Sequence, residues 1–353
     1  MVGIYTGFIV FVVLMLVLDL GVFHRKAHVV SIKEALGWSA FWISLALSFT
    51  VFIYFAYENH WQGLGLIADP VDGLLNTGSL ASLKYLTGYL IEESLSMDNL
   101  FVIAMILGFF AVPPVQQHRV LFWGILGALV LRGLMIALGA TLVAQFHWVL
   151  YLFGAFLVFT GIKMLVAKEE ETDLEGNLLV RTTRRLFAVT TRFYSHHFVV
   201  RAGWPEAAEP DGGGVDPVVS VAAKGALVLT PLALALLVVE TADVVFAVDS
   251  IPAIFAITAD PFLVFTSNIF AILGLRSLFF ALAGMLRTFR YLKTSLSLVL
   301  ILVGVKMLLA HWLRLLLGSH FNLYLLGAVL LILAGGVVAS LLARENPEPT
   351  ARA

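Results

Sequence analysis

Nine apolar stretches, at roughly 2–23, 36–57, 80–110, 119–146, 148–167, 225–258, 262–286, 294–315 and 321–343, run through this chain. Each is close to or above the ~20 residues an α-helix needs to cross the hydrocarbon core of a bilayer. A segment in lipid must satisfy its own backbone hydrogen bonds, so nine such stretches point to an all-α polytopic membrane protein with about nine transmembrane helices. The composition, 60% hydrophobic and 13% charged, is not that of a soluble domain. The whole of 1–353 therefore reads as a single transmembrane domain. The first stretch lacks a basic leading region and a small-residue cleavage site, so it reads as a helix and not as a signal peptide. A net charge of −1 offers no footprint for nucleic acid, and the lack of cysteine excludes disulfides, thiolate metal sites and cysteine nucleophiles.

Two of the stretches hold acids where a bilayer tolerates them poorly. Glu240, Asp243 and Asp249 lie within ten residues of 225–258, and Glu92, Glu93 and Asp98 lie in 80–110. A lone charge at the centre of a membrane helix costs about 2.5–3.5 kcal/mol on insertion scales. Partners, protons or a cation must offset that cost. These same two stretches are too long for one straight crossing, which predicts tilted, broken or kinked helices, with Pro252 as the breaker in the second.

Lysine and arginine near the span ends set the orientation. Arg25, Lys26 and Lys33 put the first link on the cytoplasmic side and the N-terminus outside. The next link, with Glu58, Asp69 and Asp72, is acidic and falls outside. Arg119, the 168–224 segment, Arg287, Arg290, Lys293 and Arg344 then fall inside, with His147 outside and Arg314 the one exception. Trp148, His311 and Trp312 read as interfacial anchors. Segment 168–224 mixes an acidic run (169–173) with Arg181, Arg184, Arg185 and Arg192 and a Pro-Asp-Gly-Gly-Gly run. It reads as a cytoplasmic linker with a short amphipathic helix, and its adjacent His196 and His197 lack ordinary metal-ligand spacing.

The chain repeats itself. Gly161-Ile-Lys163-Met-Leu165 recurs as Gly304-Val-Lys306-Met-Leu308, and the stretch ending Leu131-Arg132-Gly133 resembles the one ending Leu275-Arg276-Ser277. Asp98 pairs with Asp249, and six residues earlier Glu92 pairs with Asp243. The two three-span units, about 80–167 and 225–315, begin on opposite sides of the membrane, which makes them inverted repeats; spans 2–23, 36–57 and 321–343 flank them. Inverted repeats are the design of many secondary transporters, with the substrate site at the repeat interface near the midplane. Glu240 has no acidic counterpart, since Tyr89 takes its place. Residues six apart on a regular helix lie about 120° apart, so Glu92 with Asp98, or Asp243 with Asp249, could share one cation only if the helix unwinds between them. Glu240 and Asp243, three apart, can share a face.

Oxygen donors of this kind suit hard divalent cations. Glu92, Asp98, Glu240, Asp243 and Asp249 are the candidate ligands, with Asn99, Ser96, Met97, Ser250 and Asn268 as auxiliaries. The donor set favours Mn²⁺, Mg²⁺ or Ca²⁺, and Met97 could add one soft ligand, though a methionine in a span more commonly packs. Arg132 and Arg276 bring counter-charge; Lys163 and Lys306, near opposite span ends, either snorkel or gate. Five acids and two arginines sum to −3, and one divalent cation leaves −1, a residue of charge that favours proton uptake and motivates proton-coupled exchange. Glu93 points away from the set by its helical offset, and Asp19, followed by Arg25 and Lys26, reads as an interfacial pair. An intramembrane aspartyl protease would need motifs that are not here, so no catalytic residue is assigned and the chain does not read as an enzyme.

The motifs Leu95-Ser-Met-Asp98-Asn99, Asp243-Val-Val-Phe-Ala-Val-Asp249-Ser-Ile-Pro252-Ala and Thr266-Ser-Asn268 through Arg276 resemble the TerC family, named for tellurium resistance, near its Alx-type branch. The resemblance extends to Asp19-Leu-Gly-Val-Phe-His-Arg-Lys and Phe153 through Met164, nearly the whole chain. It implies a multi-pass protein of the bacterial cytoplasmic membrane that exports Mn²⁺, distantly related to LysE-type transporters, with the paired acidic motifs as the metal path. On that footing Mn²⁺ is cargo and not a cofactor, and the partners are a divalent ion, protons and the bilayer. Alx-type proteins can carry a basic residue where Glu93 stands. Alternatives are a Ca²⁺/H⁺ exchanger of the same architecture, or a non-transporting metal-binding partner in tellurite resistance or secretion.

Overall fold

The computed structural model describes residues 2–18, 31–146, 148–166, 178–195, 197–203, 211, 213, 216–283, 291–309, 312–313 and 321–343. Asp19, Arg25, Lys26, His147, the acidic run 169–173, His196, Arg287, Arg290, His311, Arg314 and Arg344 lie outside this set. The protein is an all-α polytopic membrane protein. Among the described residues nine helices have at least 17 residues: α1 (Val2–Leu18), α2 (Ile32–Glu58), α3 (Gly78–Phe109), α4 (Pro114–Gln145), α5 (Trp148–Val166), α8 (Pro231–Phe255), α9 (Pro261–Ala283), α10 (Leu292–Leu308) and α11 (Phe321–Ala343). They correspond one for one to the nine apolar stretches. Six are long and apolar enough to cross a membrane by length and composition. Of the remaining three, α3 carries its charges within the span, and α1 and α10 are 17 residues each.

Local chemistry sets where each helix begins. The hydroxyls of Ser31 and Thr77 accept from the amides of Glu34 and Leu80, capping α2 and α3. Proline opens α4, α8 and α9, where a missing amide hydrogen costs nothing. Asp260 Oδ1 accepts from the amides of Phe262 (3.0 Å) and Leu263 (3.4 Å) and so caps α9.

Of the tilted, broken or kinked forms expected from length, neither acid-bearing helix is broken. Helix α3 runs unbroken for 32 residues, about 48 Å at the α-helical rise, as does α4. Tilt and protrusion beyond the hydrocarbon core accommodate such a length without unwinding. Stretch 225–258 is shorter as a helix than its hydropathy suggests, because its first residues form a strand. Gly225, at φ +87, turns the chain, and β2 (Leu227–Leu229) pairs antiparallel with β1 (Val199–Arg201), Val200 opposite Val228. Pro252 then sits in the last turn of α8, three residues before its end, and terminates the helix instead of splitting it.

The described residues of the 168–224 segment form secondary structure of their own. They contain the predicted amphipathic helix, α6 (Leu178–Leu186), and a short α7 (Pro217–Val221). Tyr194, Val200, Ala202 and Val228 form a small core at this two-stranded sheet. The Arg119 guanidinium of α4 lies 5.7 Å from the centroid of the Phe198 ring, next to β1, and ties the two-stranded sheet to the bundle.

Helix α9 is the innermost element, with 89% of its span buried. It packs on α2, α3 and α4, while α8 packs on α3, α4 and α5, α10 on α5, and α11 on α10. Exchanging α3, α4, α5 with α8, α9, α10 maps the contact of α3 with α9 onto that of α4 with α8, and the contact of α5 with α8 onto that of α10 with α3, while the packing of α2 on α3 and α9 has no counterpart. The close approach of α5 and α10 shows a matching relation in detail. A Cβ on Gly161 would meet the carbonyl of Ser297 and Ile301 of α10, and a Cβ on Gly304 would meet the carbonyl of Gly154 and Val158 of α5. In the register that pairs Gly161 with Gly304, Gly154 falls on Ser297 and Val158 on Ile301. The glycines let the two helices approach closely, as small residues do at membrane helix interfaces.

Candidate functional site

Arg132 of α4 is at the centre of the bundle, 1% exposed. Its Nε donates to Asp243 Oδ2 at 3.2 Å and its Nη2 to Asp243 Oδ1 at 2.8 Å, a two-point fork on a carboxylate of α8. Its Nη1 donates to Glu92 Oε1 of α3. One guanidinium thus joins three helices, and the two acids it joins are the pair that the repeat makes equivalent. The planar fork matches carboxylate geometry in a way a lysine cannot. Glu92 is fully buried, and its Oε2 has no hydrogen-bond partner.

Because α3 and α8 are unbroken, the six-residue spacing keeps the remaining acids apart. Asp249 faces α5, where Thr160 Oγ1 donates to its Oδ1 at 3.5 Å. Lys163, exposed on α5, acts electrostatically on the same carboxylate. Glu240 does share a side of α8 with Asp243, as the three-residue spacing requires. Its carboxylate fills the space over Gly127 of α4, where a side chain would collide with it, and its Oε2 is unpartnered. Asp98 lies on α3, with its side chain outside the described set. Among the described residues no three His, Asp or Glu side chains converge as a metal-binding group. The single shared site expected from sequence is thus divided among Arg132, Gly127 and Thr160 in this arrangement.

The auxiliary positions are uneven. Ser96 Oγ, Ser250 Oγ and both amide atoms of Asn268 are buried without a hydrogen-bond partner. A polar atom in that condition is costly and calls for an ion or water. Asn99 is buried, and Met97 packs against two apolar clusters, the ordinary role for a methionine. Arg276 of α9 and Asp243 line one small cavity of about 30 Å³, with Leu100, Ile103 and Val239. Lys306 does not snorkel: it is 4% exposed and donates to the carbonyl of Ala256, just past the end of α8. A helix C-terminus leaves carbonyls unsatisfied and is electronegative, so a buried ammonium finds a partner there. Glu93 turns away from Arg132, towards Tyr89, Trp42 and Gly274 of α9, in line with its offset.

A second buried ionic group escaped the sequence reading. Lys84, in the second turn of α3 and fully buried, donates to Asp69 Oδ2 at 2.8 Å and Asn76 Oδ1 at 2.7 Å and pairs with Asp72 Oδ2 at 2.8 Å. Asp69 also accepts from Thr258 Oγ1 and, at 3.0 Å, from the amide of Ala259, in the turn between α8 and α9. Asn76 Nδ2 donates to Asp260 Oδ2 at 3.2 Å. Burial raises the Asp69 carboxyl, but the Lys84 ammonium and the donors from Thr258 and Ala259 outweigh it and leave it below its ordinary value. Burial, with the charge of Asp69 adding to it, holds Asp260 above its ordinary value against its hydrogen bonds. A lone lysine inside the apolar run 80–110 was the available signal.

The chain matches the family described as "Integral membrane protein TerC family" over residues 77–348. It is 45% identical over 351 residues to a Myxococcus xanthus protein named "Uncharacterized membrane protein STKORF319", covering 99% of this chain and 95% of that one. It is 44% identical over 307 residues to an Escherichia coli (strain K12) protein named "Putative membrane-bound redox modulator Alx", covering 87% and 85%. A Rickettsia felis membrane protein is 36% identical over 332 residues, covering 94% and 95%. No solved structure matches. The chain is a multi-pass integral membrane protein of bacterial type and belongs to the TerC family.

Proposed function

We propose that the chain is a secondary transporter, not an enzyme, that exports Mn²⁺ across the cytoplasmic membrane in exchange for protons. The observation that carries this reading is the junction at Arg132, where one guanidinium bridges two acids that the repeat register pairs, Glu92 and Asp243, at the contact of α3, α4 and α8. The guanidinium is a tethered cation standing between carboxylates; a free divalent cation entering among them would displace it. Unpartnered oxygens on Glu92, Glu240, Ser96, Ser250 and Asn268 add donors suited to a hard ion. The two-fold exchange in helix packing supports an inverted-repeat scaffold, in which rocking one repeat against the other alternates access.

Manganese and the outward direction rest on the family resemblance, and the orientation, N-terminus outside and C-terminus cytoplasmic, rests on loop charge. The redox role in the name of the Alx relatives finds no dithiol to work through here, because the chain has no cysteine. Sealed proteoliposomes holding an internal pH dye test the proposal. Mn²⁺ entry with a matching proton movement is expected, along with its loss in Asp98→Asn and Asp249→Asn. Metal movement that leaves the dye unchanged, or survives both substitutions, overturns the proposal. Ca²⁺ in place of Mn²⁺ as the better competitor would move the reading to calcium exchange.

A further inference from the structure

We propose that Lys84 is the latch that closes the outer end of the transport path, holding the α2–α3 loop across the end of α8; the proposal rests on the transporter reading above. The ammonium donates hydrogen bonds to Asp69 and Asn76 and forms an ion pair with Asp72 at 2.8 Å. Those residues belong to the 59–77 loop, and two of them reach on to the turn after α8: Asp69 to Thr258 and Ala259, and Asn76 to Asp260. Lys84 belongs to the first repeat and the turn to the second, so the network crosses the interface along which the repeats would separate.

Helix α8 carries Glu240, Asp243 and Asp249, and its far end is held by two buried lysines from different helices. Lys84 grips it through Asp69, and Lys306 grips the carbonyl of Ala256. Lys84 and Asp69 have fully buried side chains. A buried ammonium that loses its acids is strongly destabilised unless water replaces them, so such a network is either intact and dry or open and hydrated. That is the behaviour of a gate, and it differs from that of an apolar plug, which gains nothing from water. In the register that pairs Asp98 with Asp249, Lys84 falls on Ala235, so the second repeat has no matching lysine and the opposite end closes by other means.

The absence of cysteine allows a direct test on the full chain. Ser250→Cys places a thiol at a position 2% exposed on α8, below the latch, and Val299→Cys places one at a fully buried position on α10 as a control. Each is exposed from the outside to a membrane-impermeant maleimide. With Lys84 in place both thiols stay unlabelled. With Lys84→Met, Ser250→Cys is expected to label at least about tenfold faster, as a shift towards the open population requires, while Val299→Cys stays unlabelled. Asp72→Asn, which leaves Asp69 and Asn76 on the ammonium, should give a smaller rise. An unchanged rate at Ser250→Cys overturns the latch. An equal rise at both thiols also overturns it, by making Lys84 a structural staple. Labelling needs no metal flux, so failure of Mn²⁺ transport in the parent chain would sink the transporter reading without altering this result.

Discussion

Arg132 grips Asp243 by two nearly parallel hydrogen bonds, 3.2 Å from Nε and 2.8 Å from Nη2, and reaches Glu92 with its third nitrogen. The pairing leaves one guanidinium to answer two carboxylates. The cluster keeps one surplus negative charge even before Glu240 and Asp249 are counted, and it lies where water is scarce.

Removing the guanidinium should therefore be more damaging than removing an acid. Arg132→Met leaves Glu92 and Asp243 without their cation, which for a buried pair costs about 3–5 kcal/mol. Thermal unfolding in detergent should show this variant well below the parent. The triple variant Arg132→Met, Glu92→Gln, Asp243→Asn should recover a large part of the loss. No recovery would mean that Arg132 stabilises by packing alone.

Arg132→Lys should fail to rescue. An ammonium can neutralise a charge but cannot reproduce a two-point fork. Mn²⁺ flux in proteoliposomes should fall at least about tenfold, equivalent to ~1.4 kcal/mol, while Glu93→Gln, facing the other way, should fall less. A larger effect at Glu93 would shift the ion path to the α2–α9 side.

The glycine contacts between α5 and α10 predict a symmetric response. Gly161→Leu and Gly304→Leu each force a side chain against backbone, and overpacking of this kind costs about 1–3 kcal/mol. The two losses should be similar in the same melting assay. Gly7→Leu, with nothing within 4 Å, should be close to neutral. Unequal losses at Gly161 and Gly304 would count against the repeat register.

Asp69, in the α2–α3 loop, and Asp260, in the α8–α9 turn, predict opposite signs. The pKa of Asp69 is depressed below its ordinary 3.8, so its contribution to stability is present above that value and fades as the pH falls through the lowered one. Asp260 is raised, so its contribution is present below its ordinary 3.8 and is lost as the pH rises through the raised value. At pH 7, Asp69→Asn should lower the melting temperature. Asp260→Asn, which keeps a side-chain oxygen for the α9 cap, should leave it unchanged or raise it. Melting curves between pH 3 and pH 8 should show Asp69→Asn with a flattened acid limb; an unaltered limb would place the acid sensitivity elsewhere.

How far residues could be read forward varied with the kind of contact involved. The spacing of Glu240 and Asp243 placed them on one side of α8, and the offset of Glu93 turned it from Arg132, because both follow from the pitch of a single helix. The broken-helix expectation failed at α3 because length alone does not unwind a helix that tilt can accommodate. The span expected from 225 begins as a helix only at Pro231, because an apolar run such as Leu227–Leu229 serves a strand as readily as a helix when a glycine turn precedes it. Lys84 was passed over since its three acceptors come from a loop and its anchor from a turn some 175 residues away.

By itself the sequence determined the nine helices, since a chain in lipid must satisfy its backbone hydrogen bonds within each segment. Tertiary structure alone decided that Arg132 forks Asp243, that Asp249 answers to Thr160, and that Lys306 and Lys84 both hold the end of α8. Each of those pairings depends on how neighbouring helices are rotated and offset against one another. Those quantities come from packing across the bundle and appear in no single segment.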